Sequence, residues 1–176
     1  MSERHEILRD GTRVIVRPLL REDIALYPDF LAAVTAADLR LRFLAPTSEV
    51  SRYLIEKLTH LDYSRAMAFI AIDEESGKML GVARLHDDSS GDNAEFAILV
   101  RSRLKGHGLG WLLMRRLIEF AKAKGLKTVI GQVLSENTTM LTMCATLGFH
   151  ARDEPEEFGI KQVTLALAQT GELDPR

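Results

Sequence analysis

The alternation of apolar and polar residues predicts a strand near the start of the chain, followed by two helical stretches. Residues 12–17 alternate Val and Ile with polar residues, as a half-buried strand does. From Arg21 to about Leu44 apolar residues return every three or four positions, the period of a helix, and Pro28 predicts a break or an early turn. A second helical stretch runs from about Ser48 to Leu61, with Ser48 as its candidate N-cap.

Three strands joined by polar turns are predicted in the middle of the chain. Residues 66–72 are continuously apolar, which is typical of a strand buried on both faces. The polar residues 73–77 form a hairpin turn, and residues 79–86 are the returning strand. After a second polar turn, residues 93–100 form the third strand. These segments predict an antiparallel meander.

The clearest helix of the chain follows the meander. A stripe of apolar residues repeats at a spacing near 3.6 from Leu109 to Ala121, and Gly125 is placed to end the helix. Beyond it we predict a strand over residues 128–134, a short helix over residues 137–147 and a final strand over residues 161–168.

The order of these elements predicts a single α/β layered domain over residues 1–176. The antiparallel meander leads into a β-α-β crossover, so the central sheet is mixed and mostly antiparallel, with helices on both faces. We expect the two ends, residues 1–10 and 169–176, to be flexible.

Composition and charge exclude several classes of protein. Lys and Arg number 23 against 25 Asp and Glu, a net charge of -2 that gives no general attraction to nucleic acid or anionic lipid. The single cysteine excludes an intrachain disulfide, and no apolar run approaches the length of a membrane helix. We therefore expect a soluble cytoplasmic protein that binds neither nucleic acid nor membrane, with monomer and dimer both open.

The segment between the third strand of the meander and the clearest helix contains three alternating glycines, Gly106, Gly108 and Gly110. Glycine permits positive φ and close approach to the backbone, and the first turn of a helix has unpaired N–H groups that favour phosphate. Lys105 and His107 add possible positive charge. The spacing matches neither a Walker A loop nor a dinucleotide-binding turn. The placement between a strand and an amphipathic helix, with Lys105 beside it, favours a pyrophosphate site, and an ordinary glycine-rich turn is the alternative.

This segment resembles the signature of the GNAT family of N-acetyltransferases. The stretch Lys105-Gly106-His107-Gly108-Leu109-Gly110 matches the family motif except that Lys105 replaces the usual Arg or Gln, and Asn137 with Leu147-Gly148-Phe149 matches its downstream element. The strings LRLRFL (39–44), LTHLDYSRAMAFIAI (58–72) and AEFAILVRSRLKGHGLG (94–110) are similar to the acetyltransferase domain of bacterial Pat-type protein lysine acetyltransferases. Together with the order of elements, the resemblance covers nearly the whole chain.

The resemblance implies acetyl-CoA as the cofactor, with CoA as a product, and a splayed strand pair that receives it. The pyrophosphate would lie on the main chain of Lys105, Gly106, His107, Gly108, Leu109 and Gly110. The pantetheine arm would lie beside Ile98, Leu99 and Val100, with the splay point at Val100. Asn137 would lie near the same arm, and its alternative role is a helix N-cap.

Transfer to an amine requires a base, and Glu95 is the candidate. A lysine amine has a pKa of about 10.4, so at pH 7 only about 1 in 2,500 is neutral, a cost of about 4.6 kcal/mol. Glu95 lies five residues before the expected splay point, and the resemblance places the family's base at this position of AEFA. Alternation along the strand leaves another interpretation open, in which Glu95 simply faces solvent.

The resemblance leads us to expect a protein lysine N-acetyltransferase that transfers the acetyl group directly. Its first candidate partner is an AMP-forming acyl-CoA synthetase. A small-molecule amine acetyltransferase and a non-catalytic acetyl-CoA sensor remain alternatives. Cys144 stands where many members carry Tyr as the acid for the departing thiolate, and packing in the core is its alternative role. We expect no metal, because the histidines lack metal-ligand spacing.

Overall fold

In residues 2–44 and 52–168, which this computed structural model describes, eight strands form one sheet with helices on both faces. The strands are β1 (Arg4–Ile7), β2 (Arg13–Pro18), β3 (Ala66–Asp73), β4 (Met79–Asp87), β5 (Asn93–Val100), β6 (Thr128–Leu134), β7 (His150–Asp153) and β8 (Ile160–Ala166). The helices are α1 (Tyr27–Ala32), α2 (Ala36–Phe43), α3 (Arg52–Thr59), α4 (Leu109–Lys124) and α5 (Thr138–Leu147), and short 3₁₀ turns cover Arg21–Leu26 and Ser102–Leu104.

The sheet has the order β1-β2-β3-β4-β5-β6-β8-β7, and its strand pairs are antiparallel except for β5 with β6. The parallel pair arises because α4 carries the chain across the sheet between β5 and β6. The predicted mixed, mostly antiparallel α/β domain is confirmed. No helix in the described ranges is long and apolar enough to cross a bilayer.

Two apolar layers cover the sheet. On one face, the buried stripe of α4 packs against the inward side chains of the strands; it consists of Leu109, Leu113, Met114, Leu117 and Ala121. On the other face, α1 and α2 cover Ala68, Ile70, Val82 and Leu99 with Tyr27, Phe30, Val34 and Leu39. The helical spacing predicted for both regions follows from these layers, although Arg21 to Leu44 divides into three short pieces.

The strands β5 and β6 remain paired over only three positions. The register joins Asn93 to Thr128, Ala94 to Val129 and Glu95 to Ile130, and no further pairs follow. Both strands continue beyond this point, β5 to Val100 and β6 to Leu134, so they run unpaired on either side of a gap. The expected splay is present, but its predicted position at Val100 is wrong, because the strands separate directly after Glu95.

The separation begins where Phe96 meets Gly131, the next position in the parallel register. Three ring atoms of Phe96 lie within 2.9 Å of the position that a Cβ on residue 131 would occupy. The ring is buried and packs edge to face on Phe149 at a centroid distance of 5.5 Å. Phe96 therefore takes the space of the side chain that Gly131 lacks.

The N-terminal segment differs from the expectation of flexibility at residues 1–10. Arg4–Ile7 pairs with β2 from Arg13 to Val16 as the edge strand β1. The strand also contacts α4, because Arg4 forms an ion pair with Glu119 at 2.6 Å. The strand β7 also lies outside the predicted elements. The candidate N-cap Ser48 and the C-terminal residues 169–176 lie outside the described residues.

Substitution of Gly131 by Ala tests the contact that separates the strands. We expect G131A to lose about 1–3 kcal/mol of unfolding free energy, because the added methyl group overlaps a ring that has no room to move. Thermal and denaturant unfolding measure the loss. Combining G131A with F96L frees that space, so the double variant should regain part of the stability. Purely additive losses in the double variant would contradict this explanation.

Candidate functional site

A cavity of about 680 Å³ opens where β5 and β6 separate. It is bounded by the end of β5, the glycine-rich turn, the start of α5 and the last turn of α2. Nine of the eleven residues predicted for the site line it: Glu95, Ile98, Leu99, Val100, Lys105, Gly106, Gly108, Gly110 and Asn137. The two remaining side chains lie elsewhere, Leu109 in the core and His107 beside Asp10, with Nδ1 3.3 Å from Oδ2.

The glycine-rich turn leaves backbone N–H groups free at the start of α4. Gly106 and Gly108 adopt φ of +83° and +90°, a conformation that glycine tolerates without strain. The first hydrogen bond of the helix runs from the Leu112 N–H to the Gly108 carbonyl at 3.1 Å. The N–H groups just before Leu112 thus precede the helical ladder, at the positive end of the helix dipole. Their chemistry suits a phosphate or diphosphate group.

The Lys105 side chain is bound to α2 and does not extend over the turn. Its ammonium Nζ lies 2.6 Å from Asp38 Oδ1, and the Ser102 hydroxyl donates to Asp38 Oδ2 at 2.5 Å. Ser102 in turn accepts from the Thr35 N–H at 2.8 Å. Burial opposes ionisation of Asp38, but the hydrogen bonds from Lys105 and Ser102 outweigh it and lower the pKa of this carboxyl. The glycine-rich turn is therefore anchored to the N-terminus of α2.

Arg9 lies close to Gly108 in the glycine-rich turn. It belongs to the loop between β1 and β2, it is exposed, and it lines the cavity. Its Nε lies 3.8 Å from the position that a Cβ on Gly108 would occupy. Sequence reasoning missed this residue, because almost 100 positions separate it from the motif that it covers.

Glu95 and Arg42 lie toward the other end of the cavity lining. Glu95 is exposed, as the solvent-facing interpretation expected, and it also lines the cavity. Its side chain lies on the face of the sheet opposite Phe96, the face that α1 and α2 cover. Burial and the neighbouring charge of Arg84 lower the pKa of Arg42 to about 10. This end of the cavity thus combines one carboxylate with a cationic wall.

Asn137 and Cys144 occupy different environments on α5. The Asn137 side chain accepts from the Met140 N–H at 3.3 Å, so it is the N-cap of α5, and it also lines the cavity. Cys144 is buried in the core, and it is not among the residues that line the cavity. Burial raises the pKa of its thiol to about 11. Cys144 is therefore a packing residue in this structure.

Several lining residues carry no signal in the sequence. One wall of the cavity is a face of α5, formed by Thr139, Met140, Thr142, Met143 and Thr146. Another is the end of α2, formed by Asp38, Leu41, Arg42, Phe43 and Leu44. The helical period could have placed the α5 residues on one face, but nothing in it indicates that this face meets the cavity. Among the described residues there is no group of three His, Cys, Asp or Glu side chains that could hold a metal ion.

Comparison with known proteins gives consistent matches. The model of the family described as acetyltransferase (GNAT) domain matches residues 13–150. An acetyltransferase from Pseudomonas aeruginosa is 31% identical over 154 residues, which cover 86% of this chain and 83% of that protein. The GNAT domain of S. lividans PAT superposes with a TM-score of 0.85 at 24% identity, covering 94% of this chain and 97% of that chain. Spermidine N-acetyltransferase from Vibrio cholerae, in complex with CoA and spermine, gives 0.71 at 19% identity and covers 87% and 95%.

The anchor between Asp38 and Lys105 predicts a pH-dependent stability difference. Because the pKa of Asp38 is lowered on folding, its charge stabilises the fold above about pH 4, and this contribution disappears as pH falls through the lowered value. D38N should therefore lower the unfolding free energy by about 0.5–1 kcal/mol at pH 7 and by much less at pH 3. Thermal unfolding at both pH values measures the difference. D92N, which removes a pair between exposed side chains, is the control; an equal loss in both variants would refute the anchor.

Proposed function

This chain belongs to the GNAT family of acetyltransferases, which use acetyl-CoA as the acetyl donor, and from that premise we propose that it acetylates lysine side chains of proteins with Glu95 as the general base. The observation that carries the proposal is the position of Glu95. It is the last residue of β5 that pairs with β6, so its carboxylate lies where the gap between the strands opens.

The cofactor fits the part of the cavity beyond Glu95. The diphosphate binds the free N–H groups of the glycine-rich turn at the start of α4. The pantetheine arm lies in the gap between the strands. From Phe96 to Val100 the edge of β5 that faces β6 is unpaired, so its backbone groups are available to the amides of the arm, as to a missing strand.

Arg9 neutralises the negative charge of the cofactor phosphates at the turn. Its guanidinium covers Gly108, and no hydrogen bond or ion pair of this side chain is found in the described part of the chain. Lys105 is not available to the phosphates, because its ammonium is held by Asp38 and its N–H donates to the Ser102 carbonyl at 3.3 Å. The fixed positive charge near the diphosphate therefore comes from Arg9 and the helix dipole.

Glu95 supplies the proton transfer that the reaction requires. The neutral lysine nitrogen attacks the thioester carbonyl carbon, the carbon–sulfur bond breaks, and CoA leaves as a thiolate. Before the attack, Glu95 takes the proton of the lysine ammonium, directly or through one water molecule, and the proton that the nitrogen releases after the attack passes to the thiolate or to water. Cys144 takes no part in the departure of the thiolate, since its thiol lies in the core.

The positive charge near Glu95 favours protein lysine over a polyamine as the acceptor. Arg42 lines the same end of the cavity, with Arg84 close enough to lower the pKa of Arg42. A polyamine would bring several positive charges to this wall, whereas a lysine side chain brings one. The resemblance of residues 39–44, 58–72 and 94–110 to Pat-type protein lysine acetyltransferases supports the same choice. An AMP-forming acyl-CoA synthetase is the first protein substrate to test.

Removal of the Glu95 carboxylate tests its role as base. We expect E95Q to lower kcat by about 100-fold or more at pH 7, while calorimetry shows unchanged affinity for CoA. The loss should shrink as pH rises toward 10, because the acceptor amine then loses its proton without help. E75Q, in the exposed turn between β3 and β4, is the control and should keep full activity.

Three outcomes would contradict the proposal. Full kcat of E95Q from pH 6 to 9 would show that Glu95 is not the base. Robust turnover of small amines without acetylation of any protein lysine would remove the lysine assignment. Binding of CoA without transfer to any acceptor would identify a sensor.

Substitution of Arg9 tests the cofactor end of the site independently. We expect R9A to raise KM for acetyl-CoA by about five- to tenfold with little change in kcat, since it removes a charge on the phosphates and touches nothing at the acceptor end. Steady-state kinetics in low salt measure the effect. R13A, an exposed arginine at the start of β2, is the matched control. Equal effects of R9A and R13A would contradict a specific contact.

A further inference from the structure

Arg42 is an arginine without an acidic partner in the wall of the cavity. Its guanidinium carbon lies 4.7 Å from the centre of the Phe43 ring, and it is half-buried. Among the described residues, no hydrogen bond or ion pair of its side chain is found, although the neighbouring Arg40 pairs with Glu136. Its donor groups are therefore available to a ligand in the cavity.

A second arginine increases the positive charge at this position. Arg84 on β4 lies on the same face of the sheet as Glu95, and its Nη1 donates to the Leu58 carbonyl at 2.5 Å. Burial and the charge of Arg84 both disfavour the Arg42 cation, and the smaller contributions of Tyr27 and Glu95 do not outweigh them. A desolvated cation without a counter-ion is costly, and a bound anion removes that cost.

We propose that Arg42 binds a carboxylate of the acceptor, so that the enzyme selects amines that carry an anionic group close to the reacting nitrogen. This inference rests on the proposed function, in which the acceptor amine approaches Glu95. Glu95 receives the proton of the amine while Arg42 holds the acceptor by a charge-assisted, two-point contact.

The carboxylate has two possible sources. In a protein acceptor it belongs to an Asp or Glu that flanks the lysine. In a small acceptor it belongs to the amino acid itself. Both present the same chemistry to Arg42, and matched acceptors distinguish them.

The test compares acceptors that differ only in the anionic group. One pair consists of peptides with a single lysine flanked by Glu or by Gln, and the other consists of 4-aminobutyrate and 4-aminobutyramide. For the wild-type chain we expect kcat/KM to be about tenfold or more higher for the Glu peptide than for the Gln peptide. R42Q should bring this ratio close to one, and R42E should invert it. R40Q, on the same helix, should preserve it, and binding of acetyl-CoA confirms that each variant is folded.

The results separate this inference from the proposed function. Acetylation of both peptides at equal rates overturns the carboxylate contact while the lysine assignment stands. Preference for 4-aminobutyrate that depends on Arg42, without acetylation of either peptide, supports the contact and refutes the lysine assignment. A preference that survives R42Q, or no transfer to any of the four acceptors, overturns the inference.

Discussion

The meeting of Phe96 with Gly131 is the constraint on which the rest of the site depends. Two parallel strands that start in register would continue to pair, and a fully paired β5 and β6 would leave no gap. The aromatic ring takes the place of the missing side chain at the first position after Glu95, and Phe149 holds it there. The cavity and the unpaired edge of β5 begin at this contact, and Glu95 is the residue directly before it.

The two ends of the cavity differ in how they carry charge. At the glycine-rich turn the positive potential comes from the backbone N–H groups and from Arg9, because Asp38 neutralises Lys105. At the other end it comes from the side chains of Arg42 and Arg84. The backbone N–H groups are fixed by the conformation of the turn, whereas side chains can be exchanged without disturbing the sheet. Under the proposed function, acceptor preference can therefore change while the backbone part of the cofactor site stays the same.

Local patterns predicted most of the fold and the family of the protein. The meander, α4 and its ending at Gly125, and the family itself were predicted correctly, since each depends on short-range periodicity or on a contiguous motif. The position of the splay was predicted wrongly, because it depends on which residue of β6 faces Phe96. Arg9, Asp38 and Arg42 could not be predicted, since their proximity to the motif exists only after β1, β2 and α2 have packed.

The unpaired edge of β5 has a thermodynamic consequence for the whole molecule. A ligand that occupies the gap between β5 and β6 binds the folded chain and not the unfolded one, so by mass action it adds about 2.7 kcal/mol of stability at 100 times its dissociation constant. The polypeptide itself therefore leaves a gap in the sheet between β5 and β6. The lifetime of the folded protein is then coupled to the supply of the small molecule that completes it, and a shortage of that molecule leaves more of the protein open to proteolysis.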